Sequence, residues 1–323
     1  MTQPPATPDV HDFGIPIPDR IHPQAGPIGD RLLTWAARLG LTTDARDEAR
    51  LRGAGFHLVA ARILPDALEE DVELFAQWVT WLLHLDDEQD EGAMGRSPET
   101  VHATYAAITA VIEDQPVPHA NGVPAVTALA DFWPRTAEGM SNAWRRRILA
   151  HIHRHRDAFL TQTAHRRNAT VPTPQAYPAL RRDANGMFMF DLVEVAYRTE
   201  IPPPLAATTS WIKLCVASSD ITAWCNDVFS LRRETANNEP TNYVTVLRHA
   251  RACSEQTAVE QVGARIARRL RDLDEAEDAF LAEAHRLEPG APLDLDRLHQ
   301  VVRGIRDMPG TNLGWMLASG RYQ

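Results

Sequence analysis

Three cysteines in 323 residues, Cys215, Cys225 and Cys253, have neither the number nor the spacing of a disulfide framework or a zinc site. No apolar run is long enough to cross a membrane, and no charged-then-apolar leader is present. Lysine is nearly missing: Lys213 is the single example, and arginine supplies the remaining basic charge. There is no positive surplus either, since the formal net charge is −10, which argues against a nucleic-acid partner. Clean alternating strands, hairpin turns and internal repeats are also lacking. These absences favour a reduced, cytoplasmic, soluble protein with no integral membrane association.

One segment is locally basic, Trp144-Arg145-Arg146-Arg147 through His151, His153, Arg154, His155 and Arg156. Its Trp144, Ile148 and Ile152 recur every four residues, which predicts a surface helix with a basic outer face. The three histidines alternate rather than repeating at helical spacing, so they make no metal site.

Helical periodicity runs through the rest. Breaks fall at 115–124, 168–174, 201–204, 237–242 and 288–292, and the segments between them carry apolar stripes. With 44% hydrophobic residues the chain can bury a large core. None of the breaks demands a domain boundary, so the reading is one all-α domain over 29–323, preceded by a proline-rich arm over 1–28.

What the chain does have is acid in an unusual place. In Phe75-Ala-Gln-Trp-Val-Thr-Trp-Leu-Leu-His-Leu-Asp86-Asp87-Glu88-Gln89-Asp90-Glu91, a helix advancing 100° per residue puts Phe75, Trp78, Val79 and Leu82 on one apolar stripe. Asp86 lands in the middle of that stripe, Asp90 one turn further, and Asp87 on its flank. Unpaired charge on a buried face is strongly disfavoured, and acids at a helix C-terminus are unfavourable unless something positive sits there. Hard carboxylate oxygens one turn apart suit Mg²⁺, which keeps waters and binds substrate phosphates.

A second polar column lies in Asp220-Ile-Thr-Ala-Trp-Cys-Asn226-Asp227-Val-Phe-Ser230-Leu-Arg-Arg233-Glu234. Asn226, Ser230 and Glu234 are spaced by four and four, so an amide, a hydroxyl and a carboxylate stack on consecutive turns. Those are three oxygen ligands for one hard cation. Trp211, Leu214, Cys215, Ser218, Thr222 and Cys225 form a largely apolar or small-residue face beside them.

Taken together, these motifs resemble those of the bacterial class I terpene synthases. Asp86, Asp87 and Asp90, with Glu91 following, match the family's aspartate-rich segment; Asn226, Asp227, Ser230, Arg233 and Glu234 match its second metal motif. Phe13-Gly-Ile-Pro, Arg20-Ile-His-Pro23 and Trp35 before Gly40-Leu41 are similar to its opening. Asn312-Leu-Gly-Trp315 and the pair Arg321-Tyr322 are similar to its close.

The resemblance implies an antiparallel helical bundle around a deep apolar cavity, with both metal motifs at the mouth. Implied metal ligands are Asp86, Asp87, Asp90, Asn226, Ser230 and Glu234, for three Mg²⁺ ions that Mn²⁺ can replace. A diphosphate-sensing arginine is implied at Arg182, with Asn185 as linker and Gly186 as effector; Arg181 is the competing choice. Arg233, Arg321 and Tyr322 are implied to bind diphosphate as well. Cavity-lining candidates are Phe56, Phe75, Trp78, Leu82, Phe188, Trp211 and Trp315, whose aromatic faces would stabilise a carbocation without attacking it.

The implied substrate is a prenyl diphosphate, farnesyl diphosphate by length and opening pattern, with geranyl and geranylgeranyl diphosphate open. The product would be a sesquiterpene hydrocarbon or alcohol, and a homodimer stays open. Prenyl-chain-elongating synthases carry a second aspartate-rich motif where this chain has Asn226, Ser230 and Glu234, which disfavours that alternative.

Overall fold

In a computed structural model, residues 13–90, 92, 94–117, 122–237, 239–286 and 294–319 are described. Among them every regular element is helical. The helices are α1 (Ala25–Arg38), α2 (Ala45–Ala54), α3 (Phe56–Ile63), α4 (Glu69–Asp90), α5 (Pro98–Ile112), α6 (Pro124–Ala137) and α7 (Asn142–Asn168). There follow α8 (Tyr177–Ala184), α9 (Phe188–Ala196), α10 (Pro203–Ala206), α11 (Thr209–Ala236), α12 (Tyr243–Arg251), α13 (Glu255–Ala284) and α14 (Leu295–Ala318).

Local chemistry explains the boundaries. Asp44, Ser97, Ser141, Thr208, Asn242, Ser254 and Asp294 each cap a helix start by accepting a backbone N–H. Gly55 and Gly186 adopt φ of +65° and +80°, which lets one helix stop and the next begin at an angle. The expected breaks at 115–124, 168–174, 201–204 and 237–242 coincide with the gaps after α5, α7, α9 and α11, with 118–121 and 238 outside the described residues; the break at 288–292 lies wholly outside them.

Two helices form the interior. α4 buries Val72, Phe75, Trp78, Val79, Trp81 and Leu85, so it is apolar on most sides rather than striped. It packs on α1, α3, α6 and α9, while α11 packs on α8, α12, α13 and α14. Trp78 and Trp81 are fully buried against Phe132 and Phe188, and their indole N–H groups donate to Thr136 Oγ1 and the Ala125 carbonyl at 2.9 and 2.7 Å. Lys213 stands exposed near the start of α11.

α7 departs from the expected surface helix. Trp144, Ile148 and Ile152 are buried as the periodicity predicts, yet Arg147 and His151 also turn inward. Arg147 Nε donates to Asp191 at 2.8 Å and the guanidinium pairs with the fully buried Glu194. His155 is fully buried, with Tyr105 Oη 2.5 Å from its Nδ1, and burial drives its pKa down to about 3.

A proline inside α14 sets how α14 meets α11. Pro309 has no N–H to give the Ile305 carbonyl four residues back. Ser218 Oγ on α11 donates to that oxygen instead, at 2.7 Å. The next residue, Gly310, receives the N-terminal arm: a Cβ there would lie 1.8 Å from the Pro16 carbonyl oxygen. Gly314 and Gly263 make similar room for Ile17 and Phe13.

Candidate active site

α4 and α11 end beside one another, and an open-mouthed cavity lies below their ends. Its empty space, mouth included, is about 950 Å³. The wall is mostly apolar, with Phe75, Val79, Leu82, Met189, Phe190 and Trp315 among its residues, and its polar members include Asp86, Arg181, Asn185, Thr222, Asn226 and Asn312.

The aspartate-rich segment splits between two faces. Asp86 lines the apolar cavity, as its position on the Phe75–Leu82 stripe requires. Asp87 turns into a separate polar recess with His84, Glu88, Arg50 and Arg233, where Arg50 approaches it to 3.7 Å. Asp90 lies between Arg166 at 3.7 Å and Arg233 at 3.6 Å. Burial, then the charges of Asp86, Glu234 and Glu239, push the Asp90 carboxyl up to about 8 despite Arg233. The acids of the first motif therefore already feel the acids of the second across the mouth.

The second column is built as the spacing predicts. Ser230 Oγ donates to the Asn226 carbonyl at 2.8 Å, and Asn242 Nδ2 donates to Glu234 at 2.8 Å. Burial, then Asp227, raises the Glu234 carboxyl to about 7. Asp227, between Asn226 and Ser230 in sequence, is fully buried and points away from the cavity. It accepts from Tyr177 Oη and Arg181 Nε at 2.7 Å each and from the Tyr243 N–H at 3.2 Å.

Arg181 and Arg182 separate clearly. Arg181 lines the cavity, and its Nη2 donates to Asn226 Oδ1 at 2.9 Å while its Nε holds Asp227. Arg182 points to the other side of α8, where it and Arg269 share the buried Asp220 at 3.0 and 2.9 Å. The arginine that lines the cavity is thus Arg181, one residue before the sensor that the resemblance implies. Asn185 and Gly186 do line the cavity. The φ of +80° calls for glycine at Gly186, and a Cβ there would stand 3.1 Å from Leu82 and 3.3 Å from Phe188, which would have to give by a few tenths of an ångström.

The cavity-lining candidates divide too. Phe75, Leu82 and Trp315 line the cavity, and Phe56 sits behind Trp315 with ring centroids 5.8 Å apart. Trp78 and Phe188 lie in the packed aromatic cluster, and Trp211 packs on Phe280 of α13, so none of these three reaches the cavity surface. Each sits on the right helix but on its core-facing side. Glu91, Arg321 and Tyr322 lie outside the described residues.

Sequence reasoning missed Arg166. Its guanidinium donates to the Gln89 and Gly95 carbonyls at 2.9 and 3.0 Å and pairs with Glu239, which fastens the end of α4 to the loop after α11. The available signal was the stripe Trp144, Ile148, Ile152, His155, Phe159, Thr163, which continues to Arg166 at helical spacing.

All the donors gathered at the mouth are carboxylate, amide and hydroxyl oxygens, and the acids raise one another's pKa. That donor set suits a hard divalent cation. Among the described residues no three carboxylate, imidazole or thiol groups converge on one point. Asp90 is turned toward Arg166 and Arg233, and Asn226 toward Arg181.

A family model described as terpene synthase family 2, C-terminal metal binding, matches residues 77–272, a span that holds both motifs. The chain belongs to that family. It is similar to (+)-T-muurolol synthase ((2E,6E)-farnesyl diphosphate cyclizing) of Roseiflexus castenholzii, 29% identical over 309 residues, 95% of this chain and 92% of the relative. Pentalenene synthase of Streptomyces exfoliatus is 30% identical over 321 residues, with 96% and 92% covered. The fold matches the crystal structure of linalool/nerolidol synthase from Streptomyces clavuligerus with a TM-score of 0.83 at 22% identity, covering 94% of this chain and 99% of that one. The protein is thus a terpene synthase, a lyase acting on a prenyl diphosphate, and its family binds metal through this region.

Proposed function

We propose that this synthase ionises farnesyl diphosphate with Mg²⁺ and cyclises the allylic cation to a sesquiterpene, releasing diphosphate. The observation that carries the reading is that Asp86 and Asn226, one from each motif, line the same apolar cavity, while burial and then Asp86, Glu234 and Glu239 push Asp90 beside them up to about 8. The farnesyl chain length is supported by the muurolol synthase relative, whose name specifies that substrate.

Asp86 and Asp90 on one side, and Asn226, Ser230 and Glu234 on the other, are the proposed metal ligands; Asp87 would join them by turning from its recess. Three bound Mg²⁺ ions, or Mn²⁺ in their place, would supply the positive charge that makes diphosphate a leaving group. Arg181 is the proposed diphosphate sensor. Its planar fork, which now bridges Asn226 and Asp227, can pass one edge to phosphate oxygens and so free the Asn226 amide oxygen. Arg233 is proposed to leave Asp90 in the same way, and Arg321 and Tyr322 to close over the bound diphosphate.

Below the mouth, Phe75, Phe190 and Trp315 offer π faces worth about 0.5–2 kcal/mol each toward a nearby cation. The α-domain expected over 29–323 is proposed to act as one unit; since α1 already begins at Ala25, with Ala25 and Ile28 buried, the arm expected over 1–28 ends before that residue.

The test is a set of Mg²⁺ incubations with geranyl, farnesyl and geranylgeranyl diphosphate, read by gas chromatography–mass spectrometry and by diphosphate release. A cyclic C15 product from the farnesyl substrate is expected. Consumption of added isopentenyl diphosphate, or product from another chain length only, would overturn the reading.

A further inference from the structure

We propose that Thr222 and Asn312 hold one water molecule against the cavity, and that this water captures the final carbocation, so that the product is an alcohol. The inference rests on the farnesyl-cyclising reading above and goes beyond it by fixing the class of product.

The geometry begins with the register of α11 against α14. The helices are pinned at two levels, Ser218 Oγ to the Ile305 carbonyl at 2.7 Å and Asn226 Nδ2 to Met316 Sδ at 3.7 Å. Residue numbers rise together between these levels, so the helices run parallel. Thr222 lies midway along α11 between its two pins. Asn312 lies one turn before Met316 on α14, as Thr222 lies one turn before Asn226 on α11, so both stand about one turn below the metal motif. Both line the cavity.

Hydrogen bonding leaves each of the two groups with an oxygen that can accept. Thr222 Oγ1 gives its proton to the Ser218 carbonyl at 2.9 Å and keeps its lone pairs. The Asn312 amide N–H leans on Met316 Sδ at 3.8 Å, which leaves Oδ1 as the open end. Both side chains are half-buried and face the mostly apolar cavity, so water that enters it finds two oxygen acceptors on its wall. One water molecule can donate to both, and two polar partners fall within the two to four that an ordered water takes.

Because both partners accept, both protons of that water are taken and its lone pairs face the hydrocarbon. When the cation centre reaches it, the water oxygen supplies an electron pair and a C–O bond forms. The resulting oxonium gives up one proton, which passes to the released diphosphate, and a neutral alcohol remains. No oxidation or reduction is involved.

The test is turnover of farnesyl diphosphate in 18O-labelled water by the wild type and three variants. We expect a wild-type alcohol heavier by the label. In Thr222→Val and Asn312→Leu the alcohol fraction should fall at least ten-fold, with hydrocarbon taking its place, while Thr222→Ser should keep the alcohol. Thr222→Val is nearly isosteric, so loss of alcohol there reports the hydroxyl itself. A hydrocarbon-only wild type, an unlabelled alcohol, or an unchanged alcohol fraction in both apolar variants would overturn the proposal while leaving farnesyl cyclisation standing. If neither terpenoid nor diphosphate is released by the wild type, the underlying reading fails and this one with it.

Discussion

Burial of Asp90, and then the crowding of acids around it, makes the metal-free synthase sensitive to alkali in a way that can be weighed. Asp90 titrates at about 8 in the folded protein against 3.8 when unperturbed. The native state therefore holds a proton that the unfolded chain has lost between those values, and stability falls as pH rises through that interval. Each pH unit costs about 1.4 kcal/mol, and only the stretch from pH 6 to 8 counts in a scan from 6 to 9, so the loss is roughly 3 kcal/mol. A chain of 323 residues has an unfolding entropy near 2.1 cal/mol/K per residue, so this amounts to about 4 °C of melting temperature. The assay is thermal melting in EDTA at pH 6 and pH 9, for wild type and Asp90→Asn. Glu194, also raised to about 8 by burial, titrates alike in both proteins and drops out of the comparison. The variant should lose the excess drop, and Mg²⁺ should restore the wild type at pH 9. Equal drops in the two proteins would show that burial and the neighbouring acids do not hold the proton on Asp90 as described.

Four further outcomes follow from the site. Asp86→Ala and Asn226→Ala should each lower kcat by about 10³-fold or more with melting nearly unchanged; near-wild-type turnover in Mg²⁺ would remove these residues from the metal set. Arg181→Gln should lower kcat/KM by about 10²-fold or more and destabilise by about 3–5 kcal/mol, because Asp227 is left buried without its cationic partner; Arg182→Gln should lose far less activity, since Arg269 still holds Asp220. Gly186→Ala should cost about 2–4 kcal/mol from its φ of +80° and the contact with Leu82, seen as a lower melting temperature and a lower kcat/KM. Trp315→Leu should redistribute products in the chromatogram, whereas Trp211→Leu, in the packed core against Phe280, should lower the melting temperature and leave the product pattern intact.

The parts of this molecule that were legible beforehand are those encoded at short range. Asp86 follows the Phe75–Leu82 stripe because one helix carries both, and Asn226, Ser230 and Glu234 stack because four residues is nearly one turn. The helix breaks announce themselves through proline, glycine and capping residues. What escaped depends on how a helix is rotated about its own axis. Arg181 and Arg182 differ by 100° on α8, and only the grip of Asp227 and Asp220 decides which one faces the cavity. Trp211 and Trp315 look alike as letters, since an apolar wall and an apolar core recruit the same residues. Arg147, His151 and Arg166 carry a basic signature that suggests solvent, yet Asp191, Glu194 and Glu239 from distant segments draw them inward.

The near-total replacement of lysine by arginine has a practical side. Lys213 is the single side-chain amine of the protein and is exposed on α11, the helix that carries Asn226. The two are 13 residues apart, about 20 Å along the helix axis. An amine-reactive dye or resin would engage the folded body at this one side chain, at the opposite end of the helix from the mouth. The synthase thus comes with its own orthogonal handle for fluorescence reporting or oriented immobilisation, without an engineered cysteine.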